Sequence, residues 1–116
     1  MANELSISAS LTFNKGGASL NRSDSMSVTV TGDAYTSNVH AVGLTEEILL
    51  QGTELGTLGY VFIKNLDATN FVRVGITGQY SIKLKAKEFA LFRAAADIYA
   101  IADTAICNIE TILIEE

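Results

Sequence analysis

The sequence has few of the residues whose chemistry would limit the range of possible functions. It has no tryptophan, one cysteine and one histidine. A single cysteine excludes an internal disulfide, so oxidative cross-linking does not hold this fold together. Charged residues make up only 18% of the chain, and 13 acidic residues outnumber 8 basic ones. The acidic balance argues against binding nucleic acid through its phosphates, and the weakly charged surface favours a protein with partners.

Long apolar runs are also missing. No stretch approaches the ~18 apolar residues of a membrane helix, and Met1-Ala2-Asn3-Glu4 lacks the basic residues that begin a secretory signal. We therefore expect no membrane contact and synthesis in a reducing cytoplasm. At 116 residues the chain is predicted to be one domain, 1–116, that buries a core without staples. Residues 1–4 are interpreted as a candidate extended amino-terminal arm.

Alternation of apolar and polar residues is the pattern that dominates the first half of the chain. Leu5 to Phe13 alternates strictly, and Ser25 to Thr31 does so again. Such alternation is typical of strands with one buried face. The glycines at 16 and 17 end the first strand, and the polar run Ala18 to Asp24 is interpreted as a loop.

The central stretch from Gly59 to Arg93 contains four short apolar runs and no room for an ordinary helix. Tyr60 to Lys64 and Phe71 to Ile76 are predicted to form a hairpin around the polar connector Asn65 to Asn70. After the turn at Thr77-Gly78-Gln79, further strands are predicted at Tyr80 to Ala86 and Phe89 to Arg93.

Four other segments are less distinct. Tyr35 to Val42 is weakly patterned and is interpreted as an edge strand. Leu44 to Leu50 fits a short helix or a strand, and the strand is favoured because flanking glycines leave few residues for a helix. Ala94 to Ala96 suggests a helix or the approach to a turn before a strand at 98–102. Ala105 to Ile114 is apolar on both faces, so it is either central between packed layers or covered by a neighbouring subunit.

About eight strands with short turns predict an all-β protein, an antiparallel β-sandwich that is jelly-roll-like. We expect the inward positions to be the following residues: Leu11, Phe13, Val28, Phe62, Val72, Val74, Leu84 and Ile112.

Groups that carry chemistry are few. His40 is interpreted as a surface or interface residue rather than a ligand or base. Cys107 lies inside the last strand and is expected to be a buried hydrophobe rather than a nucleophile or metal ligand. Asp67 lacks the glycine and distal glutamate of a calcium loop, so its side chain is expected to bond its own turn. We assign no catalytic, cofactor-binding or metal-binding residues and predict that the protein is not an enzyme.

Two groups of residues are candidate contacts with a capsid or a second subunit. Lys83, Lys85 and Lys87 are predicted to lie on one face of one strand, where they either form a solvated edge or dock on an acidic partner. Ile112 and Ile114 share the second apolar face of the last strand.

Three segments resemble small structural proteins of tailed bacteriophage virions. They are residues 59–72 (GYVFIKNLDATNFV), residues 83–93 (KLKAKEFALFR) and residues 99–105 (YAIADTA) followed by a β-branched strand. The resemblance covers about the second half of the chain. Such proteins often have Pro-Gly where this chain has Ala86-Lys87, and a longer loop near Thr77-Gly78.

The resemblance implies a jelly-roll-like virion subunit made in the host cytoplasm, with no catalytic residues. Its expected partners are the major capsid protein and further copies of itself, with a trimer as the first expectation. We expect a capsid decoration or cement subunit that bridges and stabilises capsid proteins. The alternatives are a tail or head–tail junction component, or a carbohydrate-binding β-sandwich module on a tail fibre. The absence of tryptophan counts against a sugar site.

Overall fold

The computed structural model describes residues 4–49 and 55–116, and within these ranges the chain forms ten strands and no helix. In chain order they are β1 Leu5–Lys15, β2 Ala18–Val28, β3 Tyr35–Val42, β4 Glu47–Ile48, β5 Leu58–Asn65, β6 Val72–Ile76, β7 Gln79–Leu84, β8 Phe89–Arg93, β9 Tyr99–Ala102 and β10 Cys107–Glu115. Every strand pair is antiparallel. The predicted all-β, antiparallel fold class is therefore confirmed.

The chain forms two compact units, Met1–Thr31 and Gly32–Glu116, where the sequence predicts one domain. The predicted arm at residues 1–4 lies outside the described residues except for Glu4. The Glu4 carboxylate accepts a hydrogen bond of 3.0 Å from the amide of Val30, so Glu4 joins the two ends of the first unit.

The first unit is a long β-hairpin in which β1 and β2 pair in unbroken register over their whole lengths. Gly16 and Gly17 form its turn with φ of 59° and 87°. A two-residue turn of this kind needs positive φ at both positions, which glycine adopts without steric cost. Residues Ala18–Asp24 belong to the ladder, so the prediction of a loop there is wrong.

No residue of either hairpin strand is buried. Leu11 is 60% exposed and Phe13 is 50% exposed, so their assignment to the core is wrong. Alternation identifies an apolar face, but it carries no information on what covers that face.

The second unit contains two four-stranded sheets. The first sheet has the order β3-β10-β5-β8 and the second has the order β4-β9-β6-β7. Buried residues of both sheets form a single apolar cluster, the arrangement of a β-sandwich. The members of this cluster with no exposed surface are Val42, Val61, Ile63, Val72, Val74, Ala100, Cys107, Ile109 and Leu113.

The predicted core is partly correct. Val72, Val74 and Leu84 are buried as expected. Phe62 is only half-buried because β5 turns its neighbours Val61 and Ile63 inward, so the predicted register of this strand is wrong. Val28 and Ile112 are also half-buried.

The connector 65–70 does not close a hairpin, because β5 and β6 belong to different sheets. It crosses from one sheet to the other, and the prediction of a hairpin there is wrong.

Residues 77–79 do connect paired strands, β6 and β7. Strand β3 lies at a sheet edge, as predicted. The segment 44–50 contains the short strand β4, with Leu50 outside the described residues, and 94–96 is not helical.

The last strand, β10, lies between β3 and β5 in the first sheet. At its end the Glu115 carboxylate accepts hydrogen bonds from the amides of Asp33, Ala34 and Gly56 at 3.1, 3.2 and 2.9 Å. These bonds tie the start of the second unit and the 55–57 segment to the end of β10.

Candidate functional site

The most distinctive surface of the sandwich is the outer side of its first sheet. Along β10, residues 107, 109, 111 and 113 are buried and the residues between them are not. Side chains alternate across a strand, so these intervening residues face away from the core. Apolar residues occupy this side on all four strands, and we name the set the apolar face: Tyr35, Val39, Tyr60, Phe62, Phe89, Leu91, Ile112 and Ile114.

The register of the sheet makes this set contiguous. Ile112 lies opposite Phe62 on the neighbouring strand, and Phe62 lies opposite Leu91 on the next. One row further along, Ile114 lies between Tyr35 and Tyr60. Directly opposed residues on one face are close enough for their side chains to touch. The third row is mixed, because Glu110 and Lys64 lie between Val39 and Phe89. The apolar face is therefore continuous through the rows of Ile112 and Ile114 and is bordered by charged residues in the third row.

Two ring contacts fix part of the patch. The rings of Phe62 and Phe89 stack with 5.8 Å between centroids. The guanidinium of Arg93 lies 4.7 Å above the ring of Tyr60 and its Nη1 lies 3.5 Å from a Glu116 carboxylate oxygen. The patch therefore has an ordered aromatic part and a charged margin, the anatomy of a protein interface.

Much of this surface is open. Tyr35 is 70% exposed, Phe89 65%, Val39 64% and Leu91 42%. An exposed apolar patch across four strands is unusual on a monomer, which makes this surface the candidate functional site. Its geometry suits a broad, flat partner, because the outer side of a sheet offers no enclosed cavity.

The structure places the predicted contact residues in two different regions. Ile112 and Ile114 lie in the apolar face, at its centre. The lysines lie around the end of β7, in the second sheet, and their predicted arrangement on one strand face is wrong. Strand β7 ends at Leu84, so Lys85 and Lys87 belong to the turn that follows.

The lysines also have separate local contacts. Lys83 Nζ lies 4.3 Å above the ring of Phe71. Lys87 Nζ donates a hydrogen bond of 2.9 Å to the carbonyl oxygen of Leu66, and Lys87 has a positive φ of 68°. The three ammonium groups therefore do not form the row that period-two spacing predicts. Their role in capsid contact stays a prediction.

His40 is buried rather than exposed, and the prediction of a surface residue is wrong. Its Nε2 lies 2.8 Å from a Glu47 carboxylate oxygen, and the other oxygen of Glu47 accepts a 2.7 Å bond from the amide of Gly43. The Gly43 amide first, and then His40, hold the pKa of the Glu47 carboxyl below its usual range. This arrangement fixes the connection from β3 to β4, and it brings no nucleophile to the histidine.

A second carboxylate closes the neighbouring turn. Glu46 accepts hydrogen bonds from the hydroxyls of Thr77 and Tyr80 and from the amide of Gly78. These bonds lower the pKa of Glu46, with Thr77 the largest cause, and the Glu46 carboxylate raises the pKa of Tyr80. The effect is structural, since all three donors lie in or beside the β6–β7 turn.

The other singled-out residues also have structural roles. Cys107 is fully buried, as predicted, and burial raises the pKa of its thiol, which disfavours the reactive thiolate. Asp67 accepts bonds from the amides of Thr69 and Asn70 at 3.0 and 2.7 Å, which confirms that it bonds its own turn. Within residues 4–49 and 55–116, no three His, Cys, Asp or Glu side chains lie together as metal ligands would.

Sequence reasoning found part of the apolar face and missed the rest. It identified the double-sided strand that contains Ile112 and Ile114, but it assigned Phe62 to the core and did not single out Phe89 or Val39. A signal was present in residues 60–63, where four consecutive apolar residues require apolar side chains on both faces of one strand.

Comparison with known proteins finds no matching family model, and no significant match to a curated protein or to a solved structure. Among the residues that the structure describes, no helix has the length and apolar character that crossing a membrane requires. Any functional assignment therefore depends on the surface and fold of this chain.

Proposed function

We propose that this chain is a non-enzymatic structural subunit of a tailed-bacteriophage virion, a capsid decoration or cement protein that bridges and stabilises major capsid proteins. The observation that carries the proposal is the apolar face, an exposed surface on all four strands of one sheet. Such a surface is suited to docking on another protein. The side chains with the potential for chemistry have structural roles instead: His40 and Asp67 hold turns and Cys107 lies in the core.

The strand order supports the same class of protein. Strands β3 to β10 alternate between the two sheets except for the β6–β7 hairpin. The first and last, β3 and β10, lie side by side, and β4 lies beside β9 in the other sheet. We interpret this order of eight strands as a jelly roll, an architecture that viral capsid domains use.

Docking through the apolar face gives a mechanical mechanism. In the proposed particle, Phe89 and Leu91 contact the capsid surface, while Ile112 and Ile114 contact the capsid or a neighbouring copy. A lattice presents many equivalent sites, so copies that also bind each other reach a high effective concentration. Each bridge then opposes the loss of the capsid proteins on both of its sides.

The test uses phage particles from which this protein has been stripped or omitted. Purified wild-type chain added back is expected to bind and to raise the temperature at which the shell disrupts. A Phe89→Ser/Leu91→Ser variant is expected to remain folded, because both side chains are substantially exposed, and to lose binding. The matched control is Ile76→Ser, which replaces an exposed apolar residue of β6 in the second sheet and is expected to bind as the wild type does.

Two results would contradict the cement role. The first is wild-type protein that does not bind, or that binds without raising the disruption temperature. The second is full binding by the Phe89→Ser/Leu91→Ser variant. Labelling at the tail or at the head–tail junction instead of the shell would assign the protein to those positions.

A carbohydrate-binding module is the second candidate. Tyr35 and Tyr60 lie in one row of the apolar face, on either side of Ile114, and exposed aromatic rings are surfaces on which sugars stack. A glycan array probed with the free protein tests this function. Binding that is lost in Tyr35→Ala would favour it over the cement role, and an array without signal would remove it.

A further inference from the structure

The hairpin of the first unit has one apolar and one polar side. Its polar side consists of Ser, Thr and Asn alone, in pairs such as Ser8 opposite Ser25. The other side, the hairpin face, has these residues in opposed pairs: Leu5 and Val28, Ile7 and Met26, Ala9 and Asp24, Leu11 and Arg22, Phe13 and Leu20, Lys15 and Ala18. The hairpin is therefore as amphipathic as a strand pair that packs on a core.

A two-stranded hairpin is at best marginally stable in water without a third strand or a packing partner. Yet Leu11, Phe13, Leu20 and Met26 are 49–60% exposed. Because this long hairpin exposes an apolar side, we expect that side to pack against a second surface.

Two of the three charged residues on the hairpin face, Arg22 and Asp24, lie near its centre and identify that surface. Arg22 and Asp24 form an ion pair of 2.9 Å between neighbouring positions on β2. Ser23 lies between them, and the pair Ser10 and Ser23 is the midpoint of the eleven-residue strands. The positive and negative side chains are thus displaced equally to either side of the centre of the ladder.

We propose that the hairpin face binds the same face of a second copy of this chain. The twofold axis lies in the plane of the interface, crosses both strands at their midpoint and is perpendicular to them. This operation reverses the strand direction and lays β2 over β2. Arg22 then faces Asp24 of the second copy, and Asp24 faces Arg22. A closed dimer uses one self-complementary patch in this way.

The apolar residues obey the same symmetry. Phe13 faces Ile7 of the second copy, and Leu20 faces Met26, so a larger side chain meets a smaller or more adaptable one in each row. At each end of the ladder Lys15 lies over Leu5 of the second copy, where its long side chain can cover Leu5 while its ammonium stays in water.

The other aligned face-to-face arrangement, with the twofold axis along the strands, lacks this complementarity. If the axis ran along the strands, Arg22 would face Leu11 and Asp24 would face Ala9. That arrangement would bury charges without partners from the second copy.

The size of the hairpin face fits a weak dimer. Two strands of eleven residues provide a surface about 37 Å long and about 10 Å wide. Pairing two such surfaces covers about 740 Å² in total, which is below the size of stable specific interfaces and is why a weak, concentration-dependent dimer is expected. This interface concerns a different surface from the apolar face, so it stands or fails independently of the proposed function.

The test is sedimentation of the purified full chain over a range of concentrations. Wild type is expected to be in monomer–dimer equilibrium. Arg22→Asp and Asp24→Arg, each alone, place like charges opposite each other and are expected to weaken dimerisation at least tenfold. An equimolar mixture of these two variants is expected to recover the dimer, because the heterodimer again opposes acid to base at both positions.

Recovery of the dimer in the mixture would show that the charges act between copies. It could not come from the ion pair within one chain, because each variant in the mixture still lacks that pair. Amide hydrogen exchange gives a second measurement: protection of β1 and β2 is expected to rise with wild-type concentration. A monomeric or trimeric wild type would overturn the proposal. So would single variants that associate as the wild type does, a mixture that stays monomeric, or hairpin exchange that is independent of concentration.

Discussion

Asn65 offers a sharp test of how the two sheets are joined, because it is a fully buried polar residue at the end of β5. Its side-chain amide donates hydrogen bonds to the carbonyl oxygens of Asn70 and Leu84 at 2.9 and 3.1 Å. Its side-chain oxygen accepts a 2.9 Å bond from the amide of Asp67. One side chain therefore holds the start and end of the crossing segment and the end of β7.

Asn65→Ala removes all three bonds and leaves two carbonyls and one amide without these partners. An unsatisfied buried group costs about 1–3 kcal/mol. Only the bond to Leu84 is fully buried, and the groups of Asn70 and Asp67 regain some water. We therefore expect the free energy of unfolding to fall by about 3–5 kcal/mol, within the range that is exceptional for one substitution.

Urea unfolding measures this change, with Asn108→Ala as the matched control. Asn108 is an exposed asparagine on β10 of the same sheet, and its replacement is expected to cost less than about 0.5 kcal/mol. A loss below about 1 kcal/mol for Asn65→Ala would refute the role of these bonds.

The isosteric variant Asn65→Asp adds a pH-dependent test. Its carboxylate keeps an acceptor for the amide of Asp67 but turns an oxygen towards the two carbonyls, so burial and repulsion favour its protonated form in the folded state. A raised folded-state pKa means that the penalty is present at neutral pH and fades as the pH falls through that value. Relative to wild type, the variant is expected to be less destabilised near pH 4 than near pH 7.

Three further predictions follow from individual positions. Phe62→Ala is expected to cost about 1 kcal/mol because Phe62 is half-buried, whereas Ile63→Ala is expected to cost about 2–5 kcal/mol; the reverse order in thermal unfolding would show that our register of β5 is wrong. Lys87→Gly relieves a positive φ but adds chain entropy and removes the exposed Nζ bond to the Leu66 carbonyl, so its free energy of unfolding is expected to stay within about 1 kcal/mol of wild type, and a larger loss would contradict this. The lowered pKa of Glu47 means that its stabilising effect is complete above about pH 5 and lost as the pH falls through the folded-state value, so Glu47→Gln is expected to flatten the acid side of the stability curve, and an unchanged acid side would argue against it.

The sequence predicts where the strands lie better than it predicts which strands pair and what each strand packs against. Period-two alternation locates β1, and the glycines at 16 and 17 locate its turn, because both signals are local. The polar content of residues 18–24 predicts a loop. Their strand conformation depends on pairing with β1, a contact between residues up to 15 positions apart (Ala9 and Asp24).

Burial is predictable only where a strand has one apolar face. Val72 and Val74 alternate with other residue types and were assigned correctly. Residues 61–63 are all apolar, so the local pattern gives no basis for choosing Phe62 or its neighbours as core. The same double-sided pattern is what produces the apolar face, so the positions that are hardest to assign from sequence are those that form the candidate site.

The position of β10 at the centre of its sheet has a consequence for how the chain folds during synthesis. Strand β3 is the first strand of the sandwich, yet it pairs only with β10, some 70 residues later in the chain (Val39 lies opposite Glu110). Contacts between such distant residues form slowly, because a long loop must close before they contribute. The first sheet therefore lacks the strand that joins β3 to β5 until Cys107–Glu115 has been translated. Until then β3 is unpaired and β5 pairs only with β8. A ribosome-bound chain that lacks β10 therefore cannot present the complete apolar face.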